Sequence, residues 1–127
     1  MKKFTVKQVL DALDQNGYPW GQGSFLSNDG KCCAIGQIGA NLGIFDYEEH
    51  RQHDLNKEQT PEEKQKHHIE KSQLWAINDQ MSAMLIDFTT SLVSFNDDTM
   101  TKSLDEVKAY AHKHWDAYAD EVIKISG

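Results

Sequence analysis

The chain has 127 residues, of which 39% are hydrophobic and 26% charged, with a formal net charge of −7. This length suits a single globular domain, 1–127, and the composition is typical of a packed core rather than of a disordered chain. Most of the acidic excess lies in residues 46–127. Nucleic acid is therefore disfavoured as a partner, because phosphate binding needs clustered Lys and Arg.

The sequence also bears on location. No apolar run approaches the roughly 20 residues of a membrane span, and the amino terminus lacks the apolar core of a signal peptide. Cys32 and Cys33 are adjacent, so they cannot join separate segments by a disulfide. Free thiols suit a reducing compartment. We expect a cytoplasmic protein with no membrane partner.

Capping residues and apolar spacing predict a series of helices. The predicted spans are about 6–15, 33–43, 47–55, 61–94 and 104–125. Capping boxes at Thr5, Thr60 and Ser103 mark three of the starts. The span 61–94 is either one long helix or, as we favour, two helices that meet near Asn78–Asp79.

A short β-hairpin is predicted at residues 24–33, where two apolar runs flank an Asp29–Gly30 turn. Together with the helical spans, the hairpin gives a mainly α fold. We expect one domain of about five helices with this single hairpin.

Residues 17–43 hold seven of the eight glycines. Gly36 and Gly39 fall within a predicted helix, where each glycine is unfavourable by about 1 kcal/mol relative to Ala. Close approach of a neighbouring backbone is the favoured explanation for these two structural glycines. The alternative is a pocket for a small nucleotide-like ligand, with an aromatic ring stacked on a base. Its residues would be Trp20, Gly21, Gly23 and Gly36.

A thiol nucleophile is the enzymatic alternative. Cys32 or Cys33 precedes a helix whose dipole would lower the pKa of a thiol. One of the six histidines would serve as base, oriented by Asn96 or Asp97. No histidine lies in a motif that fixes its place, so a buried structural cysteine is the favoured interpretation.

Neither a metal nor a cofactor is expected. His50 and His53 can share a helix face, but zinc needs three or four ligands of defined spacing. Asn96 and Asp97 are assigned a structural role instead. In an Asx-turn, their side chains would bond to local backbone N–H groups.

Four motifs stand in order along residues 5–115. They are Trp20-Gly21, Cys33-Ala34-Ile35-Gly36, Asn96-Asp97 and a Ser-capped helix that contains Val107. In this pattern the chain resembles a family of small uncharacterised domains of phages and bacteria. Gln37 departs from the family's usual Ala, and Phe95 from its usual Trp. The resemblance implies a fold and a phage-like context, with no activity to transfer.

The leading functional hypothesis is a non-enzymatic phage-type accessory protein in the host cytosol. It would bind a host macromolecule, such as a defence component that it inhibits. The acidic region 46–127 and the incomplete catalytic set favour this interpretation. The alternative is a protein that sequesters a small nucleotide-like ligand through residues 17–43, and a thiol-dependent hydrolase is third. A homo-oligomer stays open, because the small-residue stripe could pack in a core or between subunits.

Overall fold

The computed structural model describes residues 2–15, 17–27, 29–51, 60–85 and 90–126, with the backbone alone at 50 and 51. Within these ranges the fold is mainly α, as the sequence predicts. The elements, in order, are β1 (Lys2–Thr5), α1 (Val6–Asp14), α2 (Ala34–Leu42), α3 (Tyr47–Arg51), α4 (Pro61–Ala83), α5 (Leu92–Asp97), α6 (Leu104–Trp115) and β2 (Val122–Ile125). A 3₁₀ turn, Asp116–Tyr118, lies between α6 and β2.

Side-chain caps begin three helices where the sequence predicts them. Thr5 Oγ1 accepts a hydrogen bond from Gln8 N at 3.1 Å, and Gln8 Oε1 accepts one from Thr5 N at 2.8 Å. Thr60 and Ser103 accept in the same way from the backbone N–H of the third residue of α4, Glu63, and of α6, Glu106. These hydrogen bonds confirm the three predicted helix starts. Each cap contributes about 1 kcal/mol to stability.

The two-stranded sheet lies elsewhere than predicted. The described residues of 24–33 form a loop without a regular strand, and the antiparallel sheet pairs β1 with β2 at the two ends of the chain. The loop still reverses direction, since Ser27 N donates to Lys31 O at 2.8 Å. Cys33 N also donates to Ser24 O at 3.2 Å, so the two sides of the loop are linked, but neither side is a regular strand.

The predicted final helix is too long. α6 ends at Trp115, and residues 122–125 form β2 instead of further helical turns. The β-branched residues Val122, Ile123 and Ile125 suit a strand as well as a helical stripe. Residues 122–125 form a strand rather than a helix because they pair with β1.

The described residues of 61–94 form two helices, as we favour, but the predicted position of the break is wrong, because α4 runs unbroken through Asn78 and Asp79 to Ala83 and α5 begins at Leu92. The side chain of Asn78 points away from its own helix, and its Oδ1 accepts a hydrogen bond from Val93 N at 3.2 Å. Asn78, a residue type that is common in turns, therefore lies inside α4 and connects this helix to α5 through its side chain. The predicted end of α3 near residue 55 lies outside the described residues.

One buried core joins α1, α2, α4, α6 and β2. Its fully buried side chains include Leu13, Ile38, Leu74 and Trp115. The indole N–H of Trp115 donates to Met81 O at 2.7 Å, in the last turn of α4. A buried tryptophan thus finds its polar partner in the last turn of a helix, at a carbonyl that also accepts a hydrogen bond from Met84 N at 3.2 Å.

α2 makes its closest approaches at two glycines. A Cβ at Gly36 would lie 1.8 Å from the carbonyl oxygen of Phe25, and one at Gly39 would lie 2.3 Å from Leu74 Cδ2. Any larger residue would displace these neighbours. Packing therefore accounts for glycine at both positions, despite its unfavourable helix propensity.

We expect Gly36→Ala to lower the free energy of unfolding by about 1–3 kcal/mol, because the added methyl group meets rigid backbone. Gly39→Ala is the matched comparison: it gains the same helix propensity, and its methyl group meets side-chain atoms of Leu74 and Phe45, which can shift more easily than backbone, so it should lose less stability. Urea unfolding followed by circular dichroism measures both. A Gly36→Ala protein as stable as the natural chain would contradict the close approach.

His112 joins α6 to α1 through two carboxylates. Its Nδ1 lies 2.7 Å from Asp116 Oδ1, and its Nε2 lies 2.5 Å from Asp14 Oδ2. The hydrogen bond to Asp116 is the main cause that raises the pKa of His112 above its ordinary 6.5. Partial burial opposes this rise, and Asp14 adds to it. The protonated ring can donate to both carboxylates at once.

Because the folded chain holds this proton more tightly than the unfolded chain, the stabilising effect of His112 is full below about pH 6.5. It disappears as the pH rises through the raised pKa. We expect the difference in urea midpoint between the natural chain and His112→Gln to shrink from about pH 5 to about pH 9. His114→Gln, on the same helix, controls for loss of an imidazole. A difference that grows with pH would contradict the assignment.

Candidate functional site

The side chain of Asn96 is fully buried and joins the glycine-rich loop to α2 and α5. Its Oδ1 accepts hydrogen bonds from the Trp20 indole N–H at 2.8 Å and from Ala34 N at 2.9 Å. Its Nδ2 donates to Gly21 O at 3.2 Å and to Asp97 Oδ1 at 2.9 Å. Both hydrogens and both lone pairs of the amide are therefore used. We call these four contacts the Asn96 anchor.

The predicted local Asx-turn at Asn96 and Asp97 is wrong. Both side chains bond to groups that are distant in sequence, and Asp97 Oδ1 accepts from Gly23 N at 2.9 Å. The local contact falls one residue later, where Asp98 Oδ1 accepts from Met100 N at 2.8 Å. The pair therefore connects separate segments instead of shaping its own turn.

Two further amides hold the loop that carries Trp20. Gln22 Nε2 donates to the carbonyl oxygens of Asn96 at 2.9 Å and Asp98 at 2.8 Å. Gln37 is fully buried, and its amide bonds to both backbone groups of Tyr18, each at 2.8 Å. An alanine in place of Gln37 would leave the backbone of Tyr18 without these two bonds.

The structure does not bring the four predicted ligand-binding residues together in one pocket. Trp20 and Gly21 belong to the Asn96 anchor, and Gly36 lies beneath the Phe25 carbonyl. Gly23 alone of the four borders the cleft described next.

A cleft of about 240 Å³ opens between the loop at 23–26, the start of α2, α5 and the outer face of α4. We call it the α4 cleft. Its apolar lining consists of Phe25, Leu26, Ile35, Leu74, Trp75 and Val93. Its polar and charged side chains are those of Ser24, Cys33, Lys71 and Asp97.

Two opposite charges line this cleft. Asp97 is held through Oδ1 by Gly23 N and Asn96 Nδ2, both at 2.9 Å. Among the residues that the structure describes, none donates a hydrogen bond to Asp97 Oδ2 and none forms an ion pair with Lys71. The carboxylate is thus fixed in place, and the cleft contains one cation and one anion that do not pair.

Burial raises the pKa of Cys32 to about 12 and that of Cys33 to about 11. For Cys33, the backbone N–H groups of Gly36 and Ile35 oppose this rise only in part. The predicted lowering of a thiol pKa by the helix dipole is therefore wrong, because lost hydration outweighs it. Within the described ranges, no histidine lines the cleft; His53 and the side chain of His50 lie outside them.

A search for metal ligands found nothing in the described part of the chain. No three side chains of His, Cys, Asp or Glu there are grouped closely enough to hold an ion. In the same ranges, no helix has both the length and the apolar character needed to cross a membrane.

Sequence reasoning missed the contribution of α4 to the cleft. Lys71 and Trp75 lie one turn apart on this helix, and Trp75 is 41% exposed. Leu74 and Ile77 of the same helix face the core. The sequence does contain a signal for this surface, because the large aromatic residue Trp75 lies beside the apolar stripe of α4 rather than within it.

We expect Asn96→Ala to be strongly destabilising. The change removes the partners of the Trp20 indole N–H, the Ala34 N–H and the Gly21 carbonyl, and each unpaired group costs about 1–3 kcal/mol. The expected loss is therefore about 3 kcal/mol or more, measured by urea unfolding. Asn41→Ala is the control, because it removes one hydrogen bond, to Ala12 O at 2.8 Å. Equal losses in the two variants would contradict the anchor.

Comparisons of the chain with protein-family models, with curated proteins and with solved structures found no match. The resemblance to phage and bacterial domains therefore stays a prediction. Function is inferred below from the side chains of the site alone.

Proposed function

We propose that this is a non-enzymatic binding protein whose α4 cleft holds a small organic ligand. The observation that carries the proposal is the make-up of the cleft: a largely apolar wall with a few polar groups, among them the fixed carboxylate of Asp97. Small-molecule sites are typically concave and apolar, with a few fixed polar groups that set orientation.

The size of the cleft limits the ligand. At about 240 Å³, it lies just below the range of roughly 300–1,000 Å³ that is usual for drug-sized molecules. A ligand of the size of an amino acid or a nucleobase fits this space better than a dinucleotide or a peptide.

The state of the cleft thiol supports binding rather than nucleophilic catalysis. With a pKa of about 11, Cys33 is protonated at neutral pH. The nucleophile of cysteine enzymes is the thiolate. In this cleft Cys33 is therefore a neutral, weakly polar part of the wall.

Binding of a host macromolecule is the second candidate, and Trp75 is the observation that favours it. Trp75 also borders a shallow groove along α4, lined by His68, Lys71, Ser72, Ala76 and Asp79. Tryptophan is enriched among the residues that dominate protein interfaces. A partner that lies along α4 would cover this ring and could place one side chain in the cleft.

A thermal-shift screen with amino acids, nucleobases and nucleotides tests the proposal. A ligand at 100 times its Kd stabilises the folded state by about 2.7 kcal/mol, which raises the melting temperature by several degrees. We expect Trp75→Ala to abolish the shift. Met100→Ala should retain it, because Met100 is 79% exposed and lies outside the cleft lining. A screen without a Trp75-dependent shift would reject the small-ligand function.

A further inference from the structure

We infer that the α4 cleft selects a free amino acid with an apolar or aromatic side chain. Its ammonium group binds Asp97 and its carboxylate binds Lys71. The inference rests on the proposed binding function and names the ligand class of that site.

Asp97 provides a carboxylate that is already in place. Gly23 N and Asn96 Nδ2 both donate to its Oδ1 at 2.9 Å, so the group is held from the loop and from α5. In the described part of the chain, no donor reaches Oδ2. An ammonium group is the donor that such an oxygen binds most strongly, and a fixed acceptor loses little entropy on binding.

Lys71 provides the second contact. It lies on α4 and lines the same cleft as Asp97, yet the two side chains do not form an ion pair. A ligand that carries only a positive charge leaves Lys71 without a partner, and one that carries only a negative charge leaves Asp97 without one. A zwitterion satisfies both, with one charged end at each residue.

The remaining wall suits an apolar side chain. Phe25, Leu74, Trp75 and Val93 offer aliphatic and aromatic surface. The neutral thiol of Cys33 adds no third charge, because burial raises its pKa to about 11. A nucleotide fits less well, since its phosphate can pair with Lys71 but the molecule has no ammonium group for Asp97.

Isothermal titration calorimetry with matched analogues tests the assignment. The probes are L-leucine, L-phenylalanine and L-tryptophan, each compared with its amide, which lacks the carboxylate, and its N-acetyl form, which lacks the ammonium group. We expect at least one free amino acid to bind. Each of its two analogues should bind about tenfold more weakly or worse, because the charge-assisted hydrogen bond to Asp97 or to Lys71 is lost.

Two variants assign each charge to its residue. Asp97→Asn keeps an acceptor for Gly23 N but removes the negative charge. It should therefore weaken the binding of the free amino acid but not that of the N-acetyl form. Lys71→Gln, on an exposed position of α4, should remove the preference for the free acid over the amide. Lys113→Gln, at an exposed lysine of α6, is the control and should change neither the affinity for the free amino acid nor the preference over its amide. The melting temperature of each variant shows that it is folded.

The outcomes separate the two proposals. Equal binding of a free amino acid and its charge-deleted analogues, lost in Trp75→Ala, would overturn the amino-acid assignment and keep the binding function. Binding of nucleotides in place of amino acids would also overturn the amino-acid assignment and keep the binding function. No Trp75-dependent binding of any probe would overturn both.

Discussion

The structure depends on one buried amide having four partners. Asn96 lies in the interior, where an unpaired donor or acceptor is costly, so its hydrogen bonds must all be made as the chain folds. The glycine-rich loop supplies the Trp20 indole N–H and the Gly21 carbonyl, and α2 supplies Ala34 N. Satisfying one side chain thus places three segments that are far apart in sequence.

The same constraint builds the cleft. Asn96 Nδ2 holds Asp97, and Gly23 of the anchored loop holds it from the other side. α4 forms the facing wall because Gly39 of α2 lets Leu74 approach closely. Lys71 and Trp75 flank Leu74 on α4, so the packing of two helices also sets which polar and aromatic groups line the site.

Burial decides the chemistry of the two thiols. The packing that encloses Cys32 and Cys33 removes the water that would stabilise a thiolate, and it does so more strongly than the start of α2 can compensate. A cleft with a neutral thiol and a fixed carboxylate is suited to recognition. Cys33 is therefore an unreactive part of the wall of the proposed site, and Cys32 is a buried core residue.

The sequence alone determined what local interactions control. The caps at Thr5, Thr60 and Ser103 act within a few residues, and these predictions match the contacts. The run of small residues in α2 indicated close packing, but only the fold showed that Phe25 and Leu74 are the neighbours. Tertiary structure decided the partners of Asn96, the pairing of β1 with β2 and the placement of Lys71 and Asp97 around one cleft. Each joins residues far apart in the chain, and a one-dimensional pattern of apolar and polar positions does not specify which distant groups meet.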